Sequence, residues 1–181
     1  AYSLIEIDIT RGNLDPLPIE VSPLFQDDSS KRNSINELKI ENVGSEISLV
    51  VENNLKISGL FNPLSKEAFL QKPDIAHLKP RFEDWALIKA QALITGKVTI
   101  EDKKLKVEFR LWDILAGREM MALAFTTVPS NWRRVGHIIS DKVYERLTGE
   151  KGYFDTRIIY VSEEGPKTCL LYTSDAADDD T

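Results

Sequence analysis

The stretch ALITGKVTIEDKKLKVEFRLWDILAGREMMALAFTT (92–127) decides the fold. Ala92, Ile94, Gly96, Val98 and Ile100 alternate with their neighbours as far as Asp102-Lys103. Leu105, Val107, Phe109 and Leu111 then alternate with Lys104, Lys106, Glu108 and Arg110, and after Ala116-Gly117 the chain returns through Met121, Leu123, Phe125 and Thr127. A period of two sends successive side chains to opposite sides of a pleated strand, and two short turn signals join neighbours antiparallel. The stretch therefore predicts a three-stranded meander with one apolar and one wet face.

An apolar sheet face needs a cover, and the flanking sequence supplies helices. Downstream, Asn131 stands where it can cap a helix through Leu147, with Trp132, Val135, Ile139, Val143 and Leu147 as the buried stripe and Gly149 as the stop. Loss of that cap should cost about 1 kcal/mol. Upstream, Ile47, Val50, Val51, Leu55 and Ser58 mark an amphipathic helix over 45–58, with Glu52–Lys56 as an i,i+4 pair and Gly59 in the left-handed stop position. A further helix is predicted over about 82–91, with Phe82, Trp85 and Lys89 on one face.

Further out, YSLIEIDIT (2–10) alternates Ile5, Ile7 and Ile9 against Leu4, Glu6, Asp8 and Thr10, a strand pattern closed by Arg11-Gly12-Asn13. Leu17–Val21 reads as a short strand. Pro16 and Pro18 cannot donate to a ladder and place it at a strand's start or at an edge. Residues 22–42 read as a polar surface loop with one helical turn near Ile35–Leu38, Ser65 as the cap of a short turn through Leu70, and 71–80 as loop. The expected architecture is α/β (α+β), a mixed, roughly five-stranded sheet with about three helices packed on one face.

Composition bounds the function. With 181 residues the chain is one domain's length, able to bury about 70% of its unfolded surface without staples. One Cys excludes an internal disulfide framework and multi-cysteine metal sites, and the two His, at 77 and 137, lie too far apart to suggest a metal centre, so no cofactor or metal is expected. The net charge of −6 argues against a nucleic-acid partner, and no apolar run approaches the ~20 residues of a membrane span, so no membrane insertion is expected. Four of the acidic residues, Asp175, Asp178, Asp179 and Asp180, fall in the last thirteen positions, which hold no Lys or Arg. Without them the chain has 25 acidic and 23 basic residues, a net charge of −2.

Residues that could carry chemistry find little company. His77 sits between two prolines and reads as a surface histidine, while His137 reads as a half-exposed, hydrogen-bonded helix residue. Glu83-Asp84 and Glu163-Glu164 are adjacent pairs, without the convergence across a cleft that acid–base work needs. No glycine-rich phosphate loop occurs. The one alternative to an interaction protein is a small nucleic-acid-binding α/β domain, through Lys104, Lys106, Arg110 and Trp112 on the wet strand face. Arg133-Arg134 opposes the helix dipole in a first turn and suggests a nearby carboxylate or a docked surface.

The strings ITRGNLDPLPI (9–19), LKISGLF (55–61), TGKVT (95–99), VEFRLWDILAGRE (107–119) and above all NWRRVGHIISDKVYERLTGEKGYFDTRIIYV (131–161) resemble the N-terminal domain of the TolB family. The resemblance implies an exported periplasmic interaction protein of the Tol–Pal system, not an enzyme. Such a protein links TolA to Pal for outer-membrane integrity and constriction at cell division. Any signal peptide is expected to have been removed or not captured before Ala1. The family's TolA-binding element corresponds here to residues 1–10, with Tyr2, Leu4, Ile5, Ile7 and Ile9 as candidate contacts. The resemblance further implies an N-terminal α/β domain over 11–152 and, at 153–168, a linker and the orphan first strand of a β-propeller whose remainder, the Pal-binding part, is not expected in this chain. Arg133, Arg134, Tyr153 and Phe154 are the candidate interdomain contacts. The tail CLLYTSDAADD (169–179) resembles the translation of a sequencing-adapter read-through, so 169–181 is expected to carry no regular structure.

Overall fold

The computed structural model describes residues 5–12, 15–27, 40–65, 72–76, 78–162 and 170–175. The turns expected near Ile35–Leu38 and over 66–70 lie outside the described residues, as does His77. In chain order the elements are β1 (Leu17–Val21), β2 (Phe25–Gln26), α1 (Val43–Ile57), β3 (Phe61–Pro63), α2 (Pro73–Ala76), α3 (Phe82–Leu87), β4 (Ala92–Glu101), β5 (Lys104–Asp113), β6 (Arg118–Thr127), a 3₁₀ turn (Pro129–Asn131), α4 (Trp132–Thr148), β7 (Arg157–Ser162) and β8 (Leu170–Asp175).

The predicted meander forms one side of the sheet, with β4 at the centre and β6 at the edge. β4 and β5 pair antiparallel from Ala92↔Asp113 to Glu101↔Lys104, around a two-residue turn in which Asp102 (φ 48) and Lys103 (φ 60) both take the left-handed backbone that a type I′ hairpin demands. β6 pairs with β5, with a register shift at Leu111/Trp112. β1 runs parallel to β4 on one side and β3 on the other, and β2 adds to β4 further along, which makes a mixed sheet of six strands in the order β3-β1-β4-β5-β6. β1 is thus interior, not an edge. Its Pro18 is tolerated because Pro18 faces β4 where β4 has not yet begun, and its carbonyl there accepts from Gln91 N at 3.0 Å.

Two long helices cover one face. Ile47, Val51 and Leu55 of α1 and Trp132, Val135, Ile139, Val143 and Leu147 of α4 are buried with Ile94, Val98, Val107, Phe109 and Leu111 of the sheet. Each such side chain contributes about 1.5–3 kcal/mol by leaving water. The third helix does not join them. Trp85 of α3 is buried with Leu93, Trp112 and Ile114, which occupy the other phase of the strands, so α3 lies against the opposite face. At this end β4 and β5 are buried on both sides, while β6 is exposed or half-buried along its whole length, so the expected wet face survives on β6 and at the far end of the meander.

Several local expectations need correction: β2 falls within the loop expected over 22–42 and α2 within that expected over 71–80. α3 ends at Leu87, short of the expected 91, because Lys89 turns left-handed (φ 62) and the chain must pair with β1 from Ala92 onward. Asn131 precedes α4 but makes no side-chain cap. Its Nδ2 donates to Thr127 Oγ1 at 3.0 Å, and the 3₁₀ turn before it has already tightened the helix start, so no capping energy attaches to Asn131. Arg157–Ser162 is not an orphan strand, because it pairs antiparallel with Leu170–Asp175, where no strand was expected. A lone strand leaves its N–H and C=O groups unpaired, and backbone pairing with the next extended run satisfies them whatever the side chains. The α1 helix forms where expected but runs over Val43–Ile57 instead of 45–58, because Asn42 caps it through Ser45 N; the expected stop is kept, with Gly59 at φ 74.

Candidate functional site

Of the expected N-terminal contacts, Tyr2 and Leu4 lie outside the described residues. Residues 5–10 form no strand. Their alternation is used differently: Ile7 is buried at 8% exposure, Ile5 is half-buried and Ile9 reaches 37%. The segment joins no ladder among the described residues and is fastened instead at two points. Ile7 N donates to Leu147 O at 2.6 Å, satisfying one of the carbonyls that the last turn of α4 leaves without a helical partner. Ile5 N donates to Asp113 Oδ2 at 3.1 Å. Glu6 and Asp8 are exposed, and Asp8 is held below its ordinary value first by the side-chain hydrogen bond from Thr10.

The candidate interdomain residues fold back onto their own domain. Arg134 Nε pairs with Asp155 Oδ1 at 3.2 Å, and Arg133 stacks over Trp132 at 5.0 Å. Both Arg134 and Asp155 are partly exposed, so the pair contributes at most about 1 kcal/mol. Asp141 does more for this segment, because its two oxygens accept from Phe154 N at 2.7 Å and Asp155 N at 3.1 Å. Phe154 packs edge-on to Tyr144 at 5.9 Å, and Tyr153 remains 47% exposed beside it.

The candidate nucleic-acid patch is not assembled. Trp112 is buried at 5% exposure and donates to Thr95 Oγ1 at 2.8 Å, while Lys106 lies 3.4 Å from Glu108 and Arg110 4.0 Å from Glu119. The cavity at the start of α1, about 330 Å³, is lined in part by Gln26, Asn42, Ser45 and Lys72. Gly44 N and Ser45 N are already taken by Gln26 Oε1 and Asn42 Oδ1, so this helix end has no open amide cradle for an anion.

His137 is hydrogen-bonded, as read from the sequence. Ser140 Oγ donates to Gly136 O at 2.8 Å and so accepts from Asn54 Nδ2 at 3.0 Å, which fixes the amide orientation. The same Nδ2 lies 2.8 Å from His137 Nδ1, which must therefore accept, leaving a neutral ring protonated on Nε2. Burial holds this imidazole below its ordinary value of 6.5; Asp155 and Asp141 oppose the shift and Arg133 adds to it. The unfolded chain binds the proton first, so the stability from the neutral ring is full above 6.5 and is lost as pH falls through the depressed folded value. Urea midpoints should therefore fall between about pH 7 and pH 5, and the fall should flatten in His137→Gln. A slope unchanged by the substitution would refute the assignment.

Sequence reasoning missed Asp113, Asp141 and Asn54. Asp113 carried a signal: it continues the phase of Leu105, Val107, Phe109 and Leu111, and an acid on the apolar phase of a strand is a group with a buried partner. Asp141 and Asn54 carried none. Among the described residues no group of three or more His, Cys, Asp or Glu is placed to hold a metal ion, and no helix is long and apolar enough to cross a membrane.

A family model described as the TolB amino-terminal domain matches residues 5–120. Over 168 residues the chain is 79% identical to the Tol-Pal system protein TolB of Pelagibacter ubique (strain HTCC1062), in a match covering 93% of this chain and 38% of that protein. The chain thus spans under two-fifths of that relative's length. The crystal structure of TolB from Acinetobacter baumannii superposes with a TM-score of 0.66 at 22% identity, covering 91% of this chain and 37% of that one, a likeness of fold.

Proposed function

The chain belongs to the TolB amino-terminal domain family, and from that premise we propose that it is a periplasmic adaptor that offers its N-terminal residues to TolA. The observation that carries the reading is the fastening of residues 5–9: one amide hydrogen bond to a backbone carbonyl, one to the Asp113 carboxylate, Ile7 buried and Ile5 half-buried, with no ladder. A segment held by few contacts and no ladder can exchange them for a partner's strand edge, where main-chain bonds give affinity and alternate side chains give specificity. Tyr2, Leu4, Ile5, Ile7 and Ile9 are the proposed contacts. The role is binding, without catalysis, in linking inner and outer membrane for envelope integrity and division.

Pal binding is assigned to the part of the longer relatives that this chain does not span. Residues 169–181 are read as foreign to the domain, and the 168-residue length of the match equals the chain less those thirteen. The reading is tested by capture of TolA with the chain as given and with residues 1–10 deleted. Capture should be lost on deletion, and equal capture by the two would sink the proposal.

A further inference from the structure

We propose that Asp113 is the positioning residue of the N-terminal segment: its buried carboxylate locks Ile5 by the backbone and so sets how much of the segment is free for a partner. The inference rests on the reading that these residues carry the partner contact. Asp113 ends β5 with no exposed surface, and its two oxygens serve two distant parts of the chain. Oδ1 accepts from Ala116 N at 2.8 Å inside the β5–β6 turn, and Oδ2 accepts from Ile5 N at 3.1 Å across 108 residues of sequence.

The two fastenings are unequal. When the segment leaves, Leu147 O is a helix-end carbonyl of the kind water commonly satisfies. Asp113 Oδ2 is a charged acceptor in a fully buried side chain, and leaving it without a donor costs far more than losing a neutral pair. The lock also reads no side chain, because the donor is the Ile5 amide. Exposed Glu6, Asp8 and Ile9 stay available for specificity while the segment is docked.

Amide hydrogen exchange on the full chain tests this. Asp113→Asn can still accept from Ala116 N but turns an NH₂ toward Ile5. Exchange at Ile5 and Ile7 should accelerate about tenfold or more, the loss of one charge-assisted bond, with Ala116 and the α4 interior unchanged. Ile5→Pro deletes the donor and keeps the carboxylate, and should accelerate Ile7 alike; it decides the matter if Asp113→Asn loosens the whole domain. Unchanged exchange at Ile7 in Ile5→Pro overturns the lock. Faster exchange without greater capture of TolA leaves the lock standing and sinks the functional reading. Unchanged exchange with capture still dependent on residues 1–10 does the reverse.

Discussion

Trp85→Ala is expected to lower the unfolding free energy by about 3–5 kcal/mol, the cost of removing a fully buried indole and leaving a cavity that its neighbours fill only in part. Against a total of about 5–15 kcal/mol this is a large share, and at about 2–4 °C per kcal/mol the melting temperature should fall by about 10 °C. Trp85 has no exposed surface and belongs to the smaller cluster, with Leu93 and Trp112 from the sheet, Ile114 just beyond β5, and Phe82 and Ile88 beside it. Trp85→Phe keeps most of the apolar contact and should lose about 1–2 kcal/mol. Urea unfolding decides, and a loss below about 1 kcal/mol for the alanine variant would mean that the second face contributes little. The substitution also reaches the N-terminal segment. Asp113 lies between Trp112 and Ile114, both members of the cluster, so loosening their packing should loosen the carboxylate that holds Ile5.

How much of this was legible in the sequence depends on which force set each feature. The meander and the stripes of α1 and α4 were readable because burial on one face imposes a period, and Ile139, Val143 and Leu147 obey it. The second face was hidden because α3 is six residues long and covers only one end of the sheet. Its trace is the run Ala92-Leu93-Ile94 together with Leu111-Trp112, where both phases are apolar. The N-terminal segment misled because alternation shows which side chains could share a face, and says nothing of whether a sheet edge is there to receive them. Asn131 misled for a similar reason, since cap propensity is local while Thr127 Oγ1 is supplied by the neighbouring strand. The proposed interaction segment was legible only as a resemblance. The atoms that fasten it are a carboxylate and a carbonyl from β5 and α4, far away in sequence.

Gly136→Val should be nearly as damaging as the loss of Trp85, by overpacking instead of by a void. A Cβ at Gly136 would stand 2.7 Å from Val50 Cγ1 and 2.9 Å from Val50 Cβ, with Ile47 O at 3.4 Å, so α1 and α4 cross with no room for a side chain there. Alanine would gain about 1 kcal/mol in helix propensity against an overpacking cost of about 1–3 kcal/mol, a net loss of up to about 2 kcal/mol. Valine adds two methyl groups and gives back part of the propensity, so about 3 kcal/mol is expected for Gly136→Val. The cause can be isolated with Val50→Ala. It removes Cγ1, and combined with Gly136→Ala it should leave a protein about 1 kcal/mol more stable than the two single losses predict. Strict additivity would show that the helices yield freely at this crossing and would refute the argument. Because Asn54 bonds to His137 and Ser140 just beyond this contact, forcing the helices apart should lengthen those bonds, admit water to the ring that burial keeps neutral, and weaken the pH dependence assigned to His137.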